Sequence, residues 1–177
     1  MIARNDYLQK LIDRMNNGMI KVVTGIRRCG KSYLLFEIFY NYLLQNGVDK
    51  EHIISLQLDD RMNIRYRDPD FLCEYVHSKI VDEKNYFILL DEVQYVNEFE
   101  DVLISFLHIK NADVYVTGSN AKFLSSDIIT EFRGRGDQIH LSPLSFKEYF
   151  DYCKLGFEED LNECSSCVCN GKRGNNS

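Results

Sequence analysis

The tightest constraint on this chain is a short β-branched run, Ile20 to Thr24 (IKVVT), that passes at once into a glycine turn and then into residues 31–45, rich in Leu, Phe and Tyr. That succession reads as strand, loop, helix. The loop is Gly25-Ile26-Arg27-Arg28-Cys29-Gly30-Lys31-Ser32, a full match to G-x-x-x-x-G-K-[ST] in the strand-to-helix context the pattern requires. Glycines let the backbone curl so that successive N–H groups point inward, and the following helix presents its positive end, which together make a cradle for a polyphosphate. Lys31 adds a point charge that bridges β- and γ-phosphate oxygens, and the Ser32 hydroxyl is the expected ligand of the Mg²⁺ that neutralises them. Arg27 and Arg28 either add positive potential over the phosphates or are solvated loop charges. Tyr33, in the first turn of the helix, is grouped with the loop as an expected nucleotide contact.

The strand-helix alternation continues. Residues 5–16 carry Tyr7, Leu8, Leu11, Ile12 and Met15 on one helical face, and Asn17-Gly18 stops them. His52 to Leu58, Tyr86 to Asp91, Asp113 to Thr117 and Asp137 to Leu141 read as further strands. Helices are expected over Pro69 to Asp82, Glu98 to Ile109 and, after the break at Pro143, near Phe146 to Cys153. The strands are nearly continuous apolar runs, as in parallel sheets covered by helices on both faces, so the fold class is α/β with three layers. Ligands in such sheets bind at the carboxyl ends of the strands.

Two of those ends carry chemistry. The apolar run Phe87 to Leu90 stops at Asp91 and Glu92. At the sheet's carboxyl edge Asp91 faces the Mg²⁺ site, through water, because Mg²⁺ keeps most of its hydration shell. Glu92 beside it is the carboxylate that polarises the water attacking a γ-phosphate, which hydrolysis requires. The fourth strand ends in Thr117, Gly118, Ser119 and Asn120; a side chain there either holds the attacking water or senses the γ-phosphate, with Thr117, Ser119 and Asn120 all open, or these residues simply start a helix. Arg133 and Arg135 flank a glycine in FRGRGD, and one of them is a candidate for stabilising charge on the transferring phosphoryl group, supplied to a neighbouring subunit; a solvated basic loop is the other reading.

Composition excludes several classes. With 27 acidic against 21 basic residues the formal net charge is −6, so no global positive field draws the chain to nucleic acid or anionic lipid. A local basic patch, Arg61, Arg65 and Arg67 with Tyr66 between two of them, could meet a phosphate backbone or stack on a base, but Asp59, Asp60, Asp68 and Asp70 nearly cancel it and a solvated loop is the preferred reading. No apolar stretch approaches the roughly 20 residues that cross a bilayer, and the charged N-terminus lacks a signal-peptide core, so a cytoplasmic location is expected. Of six cysteines, Cys29 and Cys73 stand alone, and Cys153, Cys164, Cys167 and Cys169 crowd the end. Four thiolates can hold zinc, yet C-x2-C is here overlapped by C-x-C with no second pair, and NECSSCVCNGKRGNNS reads as a polar tail. The expected organisation is a domain over residues 1–155 and a tail over 156–177. The histidines are scattered singly and suggest no metal or base role.

The strings TGIRRCGKS, LLDEVQYV, VTGSN and EFRGRGDQIHLSPLSFKEYF, in that order, resemble the prokaryotic AAA-type ATPases that usually carry a DUF4143 C-terminal region, over about residues 1–152. The resemblance implies a three-layer P-loop NTPase of ASCE type with a mostly parallel five-stranded sheet in the order 5-1-4-3-2. It also implies Walker A at Gly25 to Ser32, Walker B at Asp91 and Glu92, and a sensor within Thr117 to Asn120. Members are normally much longer, and the stretch beyond about residue 155 does not look like their continuation. The resemblance therefore implies a shortened chain without the helical lid and C-terminal region.

The leading expectation is a Mg²⁺-dependent ATP-binding ATPase, with ATP as partner and a homo-oligomer sharing an arginine between copies. A GTPase would need an N-K-x-D string, which is absent. A small-molecule kinase is the enzymatic alternative, but has no use for Glu92 beside Asp91. A non-catalytic nucleotide-binding or interaction remnant of a longer ATPase is the alternative of a different class.

Overall fold

The computed structural model describes residues 4–118, 132, 134–145, 148 and 150. Arg4–Pro143 form one compact unit, and Met1–Ala3 with Leu144–Ser177 group separately. The expected domain limit near residue 155, the tail with its four cysteines, and most of the last expected helix lie outside the described residues.

In the compact unit the strands are β1 (Ile20–Thr24), β2 (Ile53–Gln57), β3 (Tyr86–Asp91), β4 (Ala112–Thr117) and β5 (Gly136–His140). They form one sheet in the order β2-β3-β4-β1-β5, with every pairing parallel. This is the expected order, 5-1-4-3-2, met from the other edge. β1 and β3 are buried along their whole length, which accounts for their unbroken apolar character.

Helix α1 (Asn5–Ile12) and helix α2 (residues 31–45) cover one face; α3 (Pro69–Lys79) and α4 (Phe99–Phe106) cover the other. Alternate strand residues serve the two layers. Val23, Phe87, Leu89 and Tyr115 pack with Leu11, Leu34, Leu35 and Phe39, whereas Val22, Ile88, Leu90, Val114 and Val116 pack with Leu72, Val76, Leu103 and Phe106. The middle of α2, Leu34–Phe39, is π-helical, and Leu34, Leu35 and Phe39 are fully buried on the sheet. α3 starts where Asp68 accepts the Phe71 N–H at 2.9 Å with Pro69 at its first turn, and it ends at Lys79, one short turn before the expected Asp82.

The basic segment after β2 differs from the loop expected for it. Arg61–Arg67 is a 3₁₀ helix opened by Asp60, which accepts the Met62 N–H at 2.9 Å. Arg67 donates to the carbonyls of Leu58 (2.7 Å) and Asp59 (3.1 Å) and lies over the Tyr95 ring. Tyr66, whose ring could have stacked on a base only if exposed, is buried against Phe71 and Tyr75, with the Arg65 guanidinium over its ring. An aromatic residue in a charged string was drawn inward because α3 offers an apolar face beside it. At the amino-terminal edge of the sheet Lys21 and Asp113, both buried, form an ion pair that the sequence did not announce.

In the second unit, Ser145 and Glu148 exchange bonds: the Ser145 N–H donates to Glu148 Oε2 at 2.7 Å, and the Glu148 N–H donates to Ser145 Oγ at 3.2 Å. This reciprocal cap opens a helical turn that includes Glu148 and Phe150.

Candidate functional site

β1 and β4 are neighbours whose onward connections leave toward opposite edges of the sheet, to β2 and to β5. The crevice above their carboxyl ends is where an α/β sheet holds a ligand. All described candidate residues except Arg135 gather there.

The loop after β1 is tightly curled. Gly25 has φ 150°, Arg28 has φ 66° and Gly30 has φ 94°. The Cys29 N–H returns to the Ile26 carbonyl at 3.3 Å, and the Leu34 N–H bonds the Gly30 carbonyl at 2.9 Å, so the loop leads directly into α2. Gly25 is required by space as well as by φ: a Cβ there would run into the Leu141 carbonyl and stand 2.8 Å from Cys29 Sγ. The buried Cys29 thus fills the floor beneath the loop. Ile26, Arg27 and Arg28 are exposed on its outer side, and Ser32 and Tyr33 are half-buried in the first turn of α2. Lys31 is 4% exposed, and its ammonium donates to the carbonyls of Gly25 and Ile26, each at 3.3 Å, inside the curl.

One buried residue outside the motif holds the loop. Arg4, 3% exposed, donates to the Cys29 carbonyl at 2.8 Å and to those of Ser142 (2.7 Å) and Pro143 (3.4 Å), and lies over the Tyr7 ring. Its guanidinium ties the loop to the segment leaving β5. Partners so distant in sequence left no local signal.

Across the crevice, Asp91 ends β3 and is 3% exposed. Burial pushes its carboxyl above the ordinary range; hydrogen bonds from Thr117 and Ser32 oppose this, and the charges of Glu92 and Asp59 add to it. The Ser32 hydroxyl of the loop is near enough to the Asp91 carboxyl of β3 to hold its pKa down, although one strand, β4, separates β1 from β3. Thr117, fully buried at the end of that strand, ties β4 to the end of β3: its hydroxyl donates to Asp91 Oδ1 and accepts the Glu92 N–H at 2.9 Å. Glu92 is half-buried in the left-handed conformation (φ 52°, ψ 51°), and its Oε2 accepts a hydrogen bond from Gln94 Nε2. Among the three open candidates at the end of β4, Thr117 is thus committed to the Asp91 carboxylate and the Glu92 N–H. Ser119, Asn120 and Arg133 lie outside the described residues. Arg135 is exposed just before β5, where its carbonyl accepts the Ile20 N–H at 2.8 Å.

The assembled site is a backbone cradle with one buried ammonium on one side and two carboxylates on the other, with oxygen donors from Ser32 and Asp91 between them. Among the described residues no cluster of three or more His, Cys, Asp or Glu suggests any other metal site.

An all-parallel sheet of this order, with a glycine-lysine loop after β1, defines an α/β protein of the P-loop NTPase type. The chain belongs to the AAA_14 family of AAA domains, whose profile matches residues 17–150. It is 37% identical over 151 residues to an uncharacterized protein of Haemophilus influenzae, covering 84% of this chain and 37% of that one. It is 33% identical over 137 residues to an uncharacterized protein of Methanocaldococcus jannaschii, covering 75% and 28% respectively. The chain thus spans well under half the length of these relatives. Among solved structures it resembles a DNA polymerase III γ subunit-related protein of Thermotoga maritima (TM-score 0.57, 9% identity, 82% of this chain and 48% of that one). It also resembles the Aeropyrum pernix ORC1 protein in complex with DNA (TM-score 0.56, 14% identity, 90% and 50%) and a DNA replication initiation factor (0.54, 18%, 87% and 49%). At these identities the likeness is one of fold. The AAA assignment supports nucleotide binding. No helix among the described residues is long and apolar enough to cross a membrane.

Proposed function

We propose that this chain binds ATP with Mg²⁺ and hydrolyses it, a water attacking the γ-phosphorus as the bond to the ADP oxygen breaks. The observation that carries the reading is the Thr117 hydroxyl that holds the Asp91 carboxylate and the Glu92 N–H together, in a fold whose first loop curls around the buried Lys31 ammonium.

The donor set suits the metal. Ser32 and Asp91 supply only oxygen, which Mg²⁺ prefers, and a carboxyl raised by burial is one whose charge a divalent cation relieves. When bound, Mg²⁺ neutralises phosphate charge and polarises the transferring group. The chain's own residues do the rest. The curled amides of Gly25 to Ser32 hold the phosphates, with Tyr33 beside them, and Lys31 exchanges the carbonyls of Gly25 and Ile26 for β- and γ-phosphate oxygens. Glu92 accepts the proton of the attacking water as the new P–O bond forms. Asn120 orients that water or senses the γ-phosphate. Arg133 or Arg135 stabilises the charge developing on the phosphoryl group of a neighbouring copy, so turnover rises with protein concentration. The working module is residues 1–155.

The experiment is nucleotide affinity and phosphate release for the chain, for Lys31→Ala and for Glu92→Gln. Lys31→Ala is expected to weaken ATP binding at least tenfold. Glu92→Gln is expected to retain ATP but lose phosphate release by a factor of about 100 or more. Tight ATP binding by Lys31→Ala, or phosphate release that needs an added acceptor, contradicts the assignment.

A further inference from the structure

Glu92 is followed by a 3₁₀ turn, Val93–Tyr95, in which Val93 is buried and Gln94 turns back toward the carboxylate it follows by two residues. Gln94 Nε2 donates to Glu92 Oε2. The other end of the amide, Oε1, has no access to solvent and no hydrogen-bond partner among the described residues. A buried carbonyl oxygen left without a donor is a cost to folding, and natural structures rarely keep one without a reason.

We propose that Gln94 is the positioning residue for Glu92: its amide fixes one carboxylate oxygen so that the glutamate is set for its work on water before ATP arrives. The assignment of the amide is forced by charge, because turning it over would set Oε1 against a carboxylate oxygen, two acceptors face to face. Burial removes the remaining freedom, since no water reaches Oε1 to favour any other rotation. Three restraints then act on one residue. The backbone of Glu92 is held in the left-handed region, uncommon for a residue with a side chain. Its N–H is bound by Thr117 Oγ1, and its carbonyl accepts the Tyr95 N–H at 3.1 Å. Gln94 completes the set by holding the side-chain end.

The chemistry favours an amide for this task. A lysine or arginine in the same place would hold the carboxylate by cancelling its charge and would weaken it as a proton acceptor. A neutral N–H donor orients the group and leaves the charge in place. Gln94, the middle residue of the 3₁₀ turn, reaches back to the carboxylate of the left-handed residue that precedes the turn. This inference rests on the proposed hydrolysis for its consequence, but the contact itself can be tested without any turnover.

Two measurements decide it. In ¹⁵N spectra of the full chain, the side-chain NH₂ of Gln94, assigned through Gln94→Met, is expected to exchange with solvent at least tenfold more slowly than surface glutamine amides. That protection should vanish in Glu92→Ala. In kinetics, Gln94→Met, which keeps the side-chain length and removes the donor, is expected to lower kcat by 10- to 100-fold, the scale of a misplaced reacting group. ATP affinity should stay unchanged and the thermal midpoint should not fall, and Gln94→Glu, which sets like charges together, should lose more. An unprotected amide, or one indifferent to Glu92→Ala, overturns the proposal, as does an unchanged kcat or a loss of affinity and stability in parallel with kcat. If the chain releases no phosphate, the hydrolytic reading fails while the spectra still decide whether Gln94 holds Glu92.

Discussion

Thr117 offers the sharpest test of how the site is held together. Its hydroxyl is fully buried and makes two bonds at once, giving its proton to Asp91 and taking the Glu92 N–H. Thr117→Val replaces that hydroxyl by a methyl of nearly the same size, so no cavity opens and the change isolates polarity. A bond to a charged acceptor contributes about 1.5–3 kcal/mol and a neutral one about 1 kcal/mol, so Thr117→Val is expected to cost roughly 2–4 kcal/mol, with Asp91 Oδ1 and the Glu92 N–H deprived of that hydroxyl. Thr117→Ser keeps the hydroxyl and drops one buried methyl, for about 1 kcal/mol. Urea unfolding with constant m-values gives both numbers from the shift in midpoint. If Thr117→Val proves no less stable than Thr117→Ser, the hydroxyl is not the bridge between the Asp91 carboxylate and the Glu92 backbone N–H, and the description of the site's scaffold is wrong.

Asp91 carries a cost of its own. Its folded pKa is raised above the ordinary 3.8, so the folded state holds the proton more tightly than the unfolded chain does, and stability falls as pH rises from below 3.8 through the folded value. Without Mg²⁺, Asp91→Asn is therefore expected to match or exceed the parent in urea at pH 7, its advantage shrinking as pH falls toward 4; an advantage that grows on acidification contradicts the shift. Arg4→Ala, which leaves the Cys29 and Ser142 carbonyls without their donor, is expected to cost about 3 kcal/mol and to weaken nucleotide binding, with Arg4→Lys intermediate, as thermal unfolding and equilibrium binding can show. At the far edge of the sheet, burial lowers the Lys21 pKa against the opposing pull of Asp113, which also accepts from Tyr115 Oη and the Asn16 N–H, each at 2.9 Å. Lys21→Met strands that carboxylate and is expected to cost about 3–5 kcal/mol, much of it recovered when Asp113 is made Leu as well; a harmless single change shows the pair to be unimportant.

Much of the architecture was legible along the chain because it is written in local patterns. Apolar runs ending in Asp91 and Thr117 declared buried parallel strands, and G-x-x-x-x-G-K-S declared a loop whose backbone must curl. Helix boundaries were less legible: α4 covers Phe99–Phe106, inside the expected Glu98 to Ile109, because capping and fraying are settled by neighbours rather than by composition. The segment Arg61–Arg67, largely exposed as a solvated stretch should be, was legible only in part for a related reason. Its charges suggest water, but Tyr66 finds an apolar face on α3 and Arg67 finds two carbonyls after β2, neither visible within the segment.

What the amino-acid order decided by itself is the set of elements and the motif residues, since strand and helix periods and a glycine's freedom at φ 150° or 94° act within a few residues. Which of those residues touch was decided only by the packed sheet. Setting β4 between β1 and β3 puts the Thr117 hydroxyl where it joins Asp91 to the Glu92 backbone and leaves Ser32 near enough to the Asp91 carboxyl to hold its pKa down. Burial then drives Arg4 to satisfy carbonyls at Cys29 and Ser142, because a guanidinium out of water must find acceptors wherever the fold brings them.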